Sequence, residues 1–173
     1  AKTHPVEADL VVGVPESGNP AALGYSMESG IPYGNAFIKN NYVGRTFIKP
    51  KQEQRESSVK VKLNVLKEEV AGKRVVMIDD SIVRGTTSRR IVNLLRQAGA
   101  KEVHVRISSP AFLHPCYFGT DIPSEDQLVA SGRTVDEICK YIEADSLGYL
   151  ETDKLSEMIC NQTGVCDACF TGN

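Results

Sequence analysis

Val75-Val76-Met77-Ile78-Asp79-Asp80-Ser81-Ile82-Val83-Arg84-Gly85-Thr86-Thr87 is the stretch on which the fold turns. Val75 to Ile78 is apolar at every position, the pattern of a strand covered on both faces as in a parallel sheet, and it stops at Asp79 and Asp80. Downstream, Ile91, Leu94, Leu95 and Ala98 recur at helical spacing, with Thr86, Thr87 or Ser88 as candidate N-cap and Gly99 as terminator. Val103 to Ile107 reads as the next strand, which completes a β-α-β unit with its ligand site expected at the strand ends. The fold class is α/β.

The same pattern continues outward. Leu10 to Val14 reads as a strand, Pro15-Glu16-Ser17-Gly18 as a loop, and the Ala-containing stretch from Pro20 to Met27 as a helix. After Gly30 and Pro32 a second apolar strand is expected from Tyr33 to Ile38, followed by a polar excursion from Lys39 to Lys62 rich in Lys, Arg, Gln and Asn. Ser124-x-x-Gln127 and Thr134-x-x-Glu137 have the form of capping boxes, the second leading into Val135, Ile138, Cys139 and Ile142 on one face. Residues 1–150 are taken as one domain and 151–173 as a C-terminal helix with a cysteine-rich segment.

Composition narrows the function classes. With 173 residues, 41% hydrophobic and 24% charged, the chain is an ordinary globular length and mix. A net charge of -2 without a basic run argues against nucleic acid as a partner. No apolar run approaches a membrane span and the start Ala-Lys-Thr-His-Pro lacks a secretory core, so no membrane partner and a cytoplasmic location are expected. Five cysteines, with Cys160, Cys166 and Cys169 crowded near the C-terminal end, suit metal or redox chemistry better than a disulfide scaffold.

Chemistry concentrates after the Val75 strand. A loop closing on Gly85, Thr86 and Thr87 at a helix N-terminus offers free amides, hydroxyls and the positive end of the helix dipole, which suits phosphate. Two adjacent carboxylates would repel phosphate, so Asp79 and Asp80 must face something else: sugar hydroxyls or Mg²⁺. A ribose phosphate meets both needs, whereas a solvated acid pair before a capped helix would use neither. The absence of a Lys after the glycine, and of G-x-G-x-x-G, removes a Walker A loop and a dinucleotide fold. A second strand-end loop, Val14 to Gly18, is a candidate for a further phosphate group. Cys166-x-x-Cys169 alone is compatible with a zinc half-site, a redox pair or chance, and with Cys116 it becomes a candidate [4Fe-4S] site. Cys139 reads as core, and His114 is given no role.

At apolar residues, two acids, a short spacer and Gly-Thr-Thr, the chain resembles the type I phosphoribosyltransferases, whose substrate is phosphoribosyl pyrophosphate (PRPP). The resemblance implies that Asp79 and Asp80 serve the ribose hydroxyls and Mg²⁺. It implies that Ser81, Val83, Arg84, Gly85, Thr86 and Thr87 hold the 5′-phosphate, and that Val14 to Gly18 is the pyrophosphate loop, with Ser17 near the metal. Ile31-Pro32-Tyr33, Lys39 to Phe47, Val83 to Arg90 and His114-Pro115-Cys116 further resemble the glutamine PRPP amidotransferase family, and the cysteines its iron-sulfur branch. That likeness implies a parallel-sheet fold with helices on both faces, incomplete at the N-terminus. It implies Mg²⁺ and a [4Fe-4S] cluster as cofactors, with Cys116, Cys166 and Cys169 as cluster ligands.

It also implies a closing loop at about 39–62 with Lys39, Tyr42 and Arg45 around the pyrophosphate. The expected partners are PRPP, purine nucleotide inhibitors, an N-terminal glutaminase domain that this sequence does not contain, and a second copy of the chain in a homo-oligomer. The chain is therefore expected to be a fragment, with three cluster-type cysteines too few to assemble a stable cluster unaided. A salvage phosphoribosyltransferase or a non-catalytic PRPP-binding regulator are the alternatives; the first should carry a base-recognition segment in place of Cys116 and the cysteine-rich tail, and the second should lack both the closing loop and the cysteines.

Overall fold

The computed structural model describes residues 1–39, 63–116, 118, 124–155 and 166–172. The expected excursion after Lys39, with Tyr42 and Arg45, and Cys160 lie outside the described residues.

Four parallel strands form the sheet: β1 (Leu10–Gly13), β4 (Arg74–Asp79), β5 (Glu102–Ile107) and β6 (Ser146–Tyr149), in the order β1-β4-β5-β6. β2 (Phe37–Lys39) and β3 (Leu63–Val65) pair antiparallel as a separate ribbon. The strand expected from Tyr33 to Ile38 is thus divided: Tyr33 makes only an isolated bridge to Val11, and pairing resumes at Phe37 with a different partner. Val11 donates to the Pro32 carbonyl and accepts from Gly34, and beyond Gly34 the chain leaves Val11 for β3.

β4 is central, and its alternation explains why every position is apolar. Val75 and Met77 pack with Ile91, Val92 and Leu95 of α3 (Thr86–Gln97) and Ile138 and Ile142 of α4 (Val135–Ile142). Val76 and Ile78 face the other way, against Ala22 and Tyr25 of α1 (Gly18–Ser29). Helices therefore cover both faces, and each fully buried side chain of β4 contributes about 1.5–3 kcal/mol of transfer free energy. Short helices α2 (Lys67–Val70) and α5 (Ala168–Thr171) complete the described elements, with β6 an addition that the sequence reading did not anticipate.

Two caps differ from expectation. α3 begins at Thr86 with Gly85 as N-cap and no side-chain cap bond, so none of Thr86, Thr87 or Ser88 is spent on capping. Ser124 likewise forms no capping bond; the segment after it is a single 3-10 turn, Glu125–Gln127. The Thr134–Glu137 box is present in full. Cys139 is half-buried rather than core, its thiol directed at the Ala144 carbonyl.

Candidate active site

The carboxyl ends of β1 and β4 lie side by side, Gly13 opposite Ile78, and each strand opens into one of the two loops singled out by sequence. Val14 donates to the Ile78 carbonyl at 2.8 Å, and Gly18 donates back to Val14 at 2.9 Å, which folds Pro15 to Ser17 into a tight turn over the strand ends. The Pro15–Glu16 peptide is cis. A Cβ on Gly18 would overlap the carbonyl oxygen of Ile78 and stand 3.3 Å from Asp79 Cα, so this loop sits directly against the acid pair. Ser17 is exposed at its crest.

Asp79 is 7% exposed, and burial pushes its carboxyl up to about 7. Its Oδ1 accepts from the Asp80 amide at 2.9 Å. Asp80 is exposed, with the Ser81 hydroxyl donating to its Oδ1 at 3.1 Å. A desolvated carboxylate held next to an exposed one is stabilised in its charged form by a cation or by hydroxyl donors. Asp79, Asp80 and Ser17 carry hard oxygen donors, the ligand type that Mg²⁺ takes.

Gly85 occupies the left-handed region, φ 75°, and an added Cβ would meet the Tyr141 ring at 2.8 Å and Val129 Cγ2 at 3.2 Å. Only glycine satisfies both that backbone and that packing. Thr86 and Thr87 follow, exposed, on the first turn of α3. Arg84 donates from Nε and Nη2 to Gln127 Oε1 at 3.2 and 2.5 Å, and Arg89 and Arg133 stand 5.7 and 6.0 Å from the Tyr141 ring. Arg89 is also paired with Glu143. Lys39, at the end of β2, reaches Glu16 at 3.2 Å, which brings it to the first loop.

The cysteines gather elsewhere. Leu113 and His114 donate to the Cys169 carbonyl at 2.9 and 3.1 Å, and Phe112 meets Phe170 edge-on at 5.0 Å, which docks the tail. Cys116, Cys166 and Cys169 with His114 and Glu125 line a cavity of about 180 Å³. Burial, then the neighbouring Cys116 and Cys166, raise the Cys169 thiol above its ordinary range. No three His, Cys, Asp or Glu side chains among the described residues converge as ligands of one ion would. Cysteine sulfur is the ligand type that iron-sulfur groups take.

Glu16, Gln127, Val129 and Tyr141 belong to the site's surroundings and carried no local signal. Each acts through a contact with a residue distant in sequence.

Residues 3–108 match the Phosphoribosyl transferase domain family, and the chain belongs to that family. Among similar proteins, the amidophosphoribosyltransferase of Synechocystis is 57% identical over 99% of this chain, and that of Bacillus subtilis 53% over 99%. This chain spans 35% and 37% of their respective lengths. A solved glutamine PRPP amidotransferase from B. subtilis, complexed with ADP and GMP, superposes with a TM-score of 0.87 at 52% identity, over 99% of this chain and 39% of that one. Among the described residues no helix is long and apolar enough to cross a membrane.

Proposed function

We propose that this chain binds PRPP and transfers its 5-phosphoribosyl group to ammonia, as the phosphoribosyltransferase part of an amidophosphoribosyltransferase of purine biosynthesis. The observation that carries this reading is the convergence of the Val14–Gly18 loop, the Asp79–Asp80 pair and the Ser81–Thr87 loop at neighbouring strand ends. The 50–57% identity to relatives of that name supports the choice of acceptor.

In this reading the amides of Ser81 to Gly85 and the hydroxyls of Thr86 and Thr87 grip the 5′-phosphate, with Val83 and Arg84 in the loop. Asp79 and Asp80 orient the ribose through its hydroxyls. Pro15 to Gly18 and Lys39 receive the pyrophosphate, a task in which Tyr42 and Arg45 share. Ammonia bonds to C1 as the bond from C1 to the pyrophosphate oxygen breaks, through a state of oxocarbenium character, and the nitrogen then sheds a proton to water, giving 5-phosphoribosylamine and pyrophosphate. The protein supplies position and charge, and no covalent intermediate is needed. Ser17, Asp79 and Asp80 would hold a magnesium ion, which would supply neutralisation of the leaving group.

The reading extends to the rest of a longer enzyme: ammonia from glutamine in a separate glutaminase domain, purine nucleotides as inhibitors, a homo-oligomeric assembly in the cytoplasm, and a [4Fe-4S] cluster on Cys116, Cys166 and Cys169. The neighbour solved with ADP and GMP supports the nucleotide part.

Calorimetric titration of the chain with PRPP and Mg²⁺ tests it. Asp79→Asn with Asp80→Asn should weaken binding more than tenfold and abolish ammonia-dependent pyrophosphate release. Unchanged affinity in that variant sinks the assignment.

A further inference from the structure

We propose that Gln127 is a positioning residue for the 5′-phosphate loop: through Arg84 it fixes the loop in its phosphate-accepting shape before the ligand arrives. The proposal rests on the reading of Ser81–Thr87 as the phosphate cradle.

A single side-chain oxygen, Gln127 Oε1, accepts from both Nε and Nη2 of Arg84, at 3.2 and 2.5 Å. Arg84 is otherwise exposed at the apex of its loop, where a guanidinium on a long stem samples many rotamers. Binding that must first order such a side chain loses affinity to entropy, and a fork already engaged has lost that freedom before the encounter.

Gln127 can perform this task because it is itself held. It ends the 3-10 turn Glu125–Gln127, in which Gln127 donates to the Ser124 carbonyl at 3.3 Å and Leu128 to that of Glu125 at 2.9 Å. The following residues Leu128, Val129 and Ala130 are 1–3% exposed and anchor the turn in the core. Val129 then donates to the Val83 carbonyl at 2.8 Å, the residue before Arg84, and its Cγ2 packs at the face of Gly85. The loop is therefore clamped at three successive residues, Val83, Arg84 and Gly85, by one short segment. At the start of that segment Glu125 Oε1 lies 3.3 Å from His114 Nδ1, which ties it to the cysteine-lined cavity.

The arrangement separates two halves of the substrate. The Gln127 side chain bonds to Arg84 of the 5′-phosphate loop, whereas the pyrophosphate loop rests on β1, Ile78 and Lys39. Titrations of the full chain with ribose 5-phosphate and with Mg²⁺-pyrophosphate, followed by backbone amide NMR shifts, read the two halves independently.

Gln127→Ala should weaken ribose 5-phosphate about five- to tenfold and leave pyrophosphate unchanged. Gln127→Met, of similar length but without an acceptor, should do the same and covers the case in which alanine disturbs the turn. Gln127→Glu, whose carboxylate accepts the same fork, should restore wild-type affinity. Equal losses for both ligands, no loss for ribose 5-phosphate, or failure of Gln127→Glu to rescue would overturn the proposal. Failure of the unaltered chain to bind ribose 5-phosphate would instead overturn the phosphate-cradle reading on which it rests.

Discussion

The ammonium of Lys39 lies 3.2 Å from the carboxylate of Glu16, joining the end of β2 to the turn that follows β1. Glu16 is the more exposed partner, its side chain at 76% against 33% for Lys39. An exposed pair of this kind is weak, so an incoming pyrophosphate can replace the carboxylate as the partner of Lys39 while finding the ammonium already in place. Glu16→Gln should therefore tighten Mg²⁺-pyrophosphate binding about two- to fivefold, and Lys39→Met should weaken it by at least as much. In the double variant the Glu16→Gln gain should vanish, a coupling that calorimetry of the four proteins measures directly. A gain that persists without Lys39 would mean that Glu16 acts only through bulk charge.

Gly18 lies so close to Ile78 that the first loop and the acid pair share one packing contact. Gly18→Ala must lift the loop off the end of β4, since the obstacle is backbone and cannot rotate away. We expect a loss of about 1–3 kcal/mol in urea denaturation together with loss of pyrophosphate binding. An alanine variant with wild-type stability and affinity would show that the two loops are not in register as described.

How much of this was legible in sequence depended on whether the information was local. β4 announced itself because a strand covered on both faces is apolar throughout, and the helix after Gly85 because its buried face repeats at helical spacing. Thr134–Glu137 was readable for the same reason, since a capping box is written within four residues. The Ser124 box failed because the same pattern led into buried Leu128, Val129 and Ala130, whose anchoring ended the turn after one revolution. Tyr33 to Ile38 was read as one strand because its division depends on which partners flank it, Val11 for one end and Val65 for the other. Asp79, Asp80 and Gly85 stand out in the local sequence, whereas Glu16, Gln127 and Tyr141 carry no such signal, as each enters the site's surroundings only through a residue brought near by the fold.

Tyr149 ends β6 with its hydroxyl buried and without a hydrogen-bond partner among the described residues, and burial pushes it up to about 12. Tyr149→Phe removes a desolvated hydroxyl without opening a cavity, so stability near neutral pH should equal the wild type or exceed it by up to about 1 kcal/mol. The sign at alkaline pH follows from linkage. Between pH 10 and 12 the unfolded chain loses this proton while the folded chain retains it, so wild-type stability falls as pH rises through that window. The phenylalanine variant should show a shallower fall. Denaturation midpoints at pH 8 and pH 11 test both statements, and an equal alkaline loss in the two proteins would refute the second.

A crystal structure of the chain with PRPP and Mg²⁺ tests the central claim most directly. The account predicts the 5′-phosphate against the backbone of Ser81 to Thr87, the ribose hydroxyls at Asp79 and Asp80, and the pyrophosphate over Pro15 to Gly18 beside Lys39. A 5′-phosphate bound away from Gly85, Thr86 and Thr87 would contradict it.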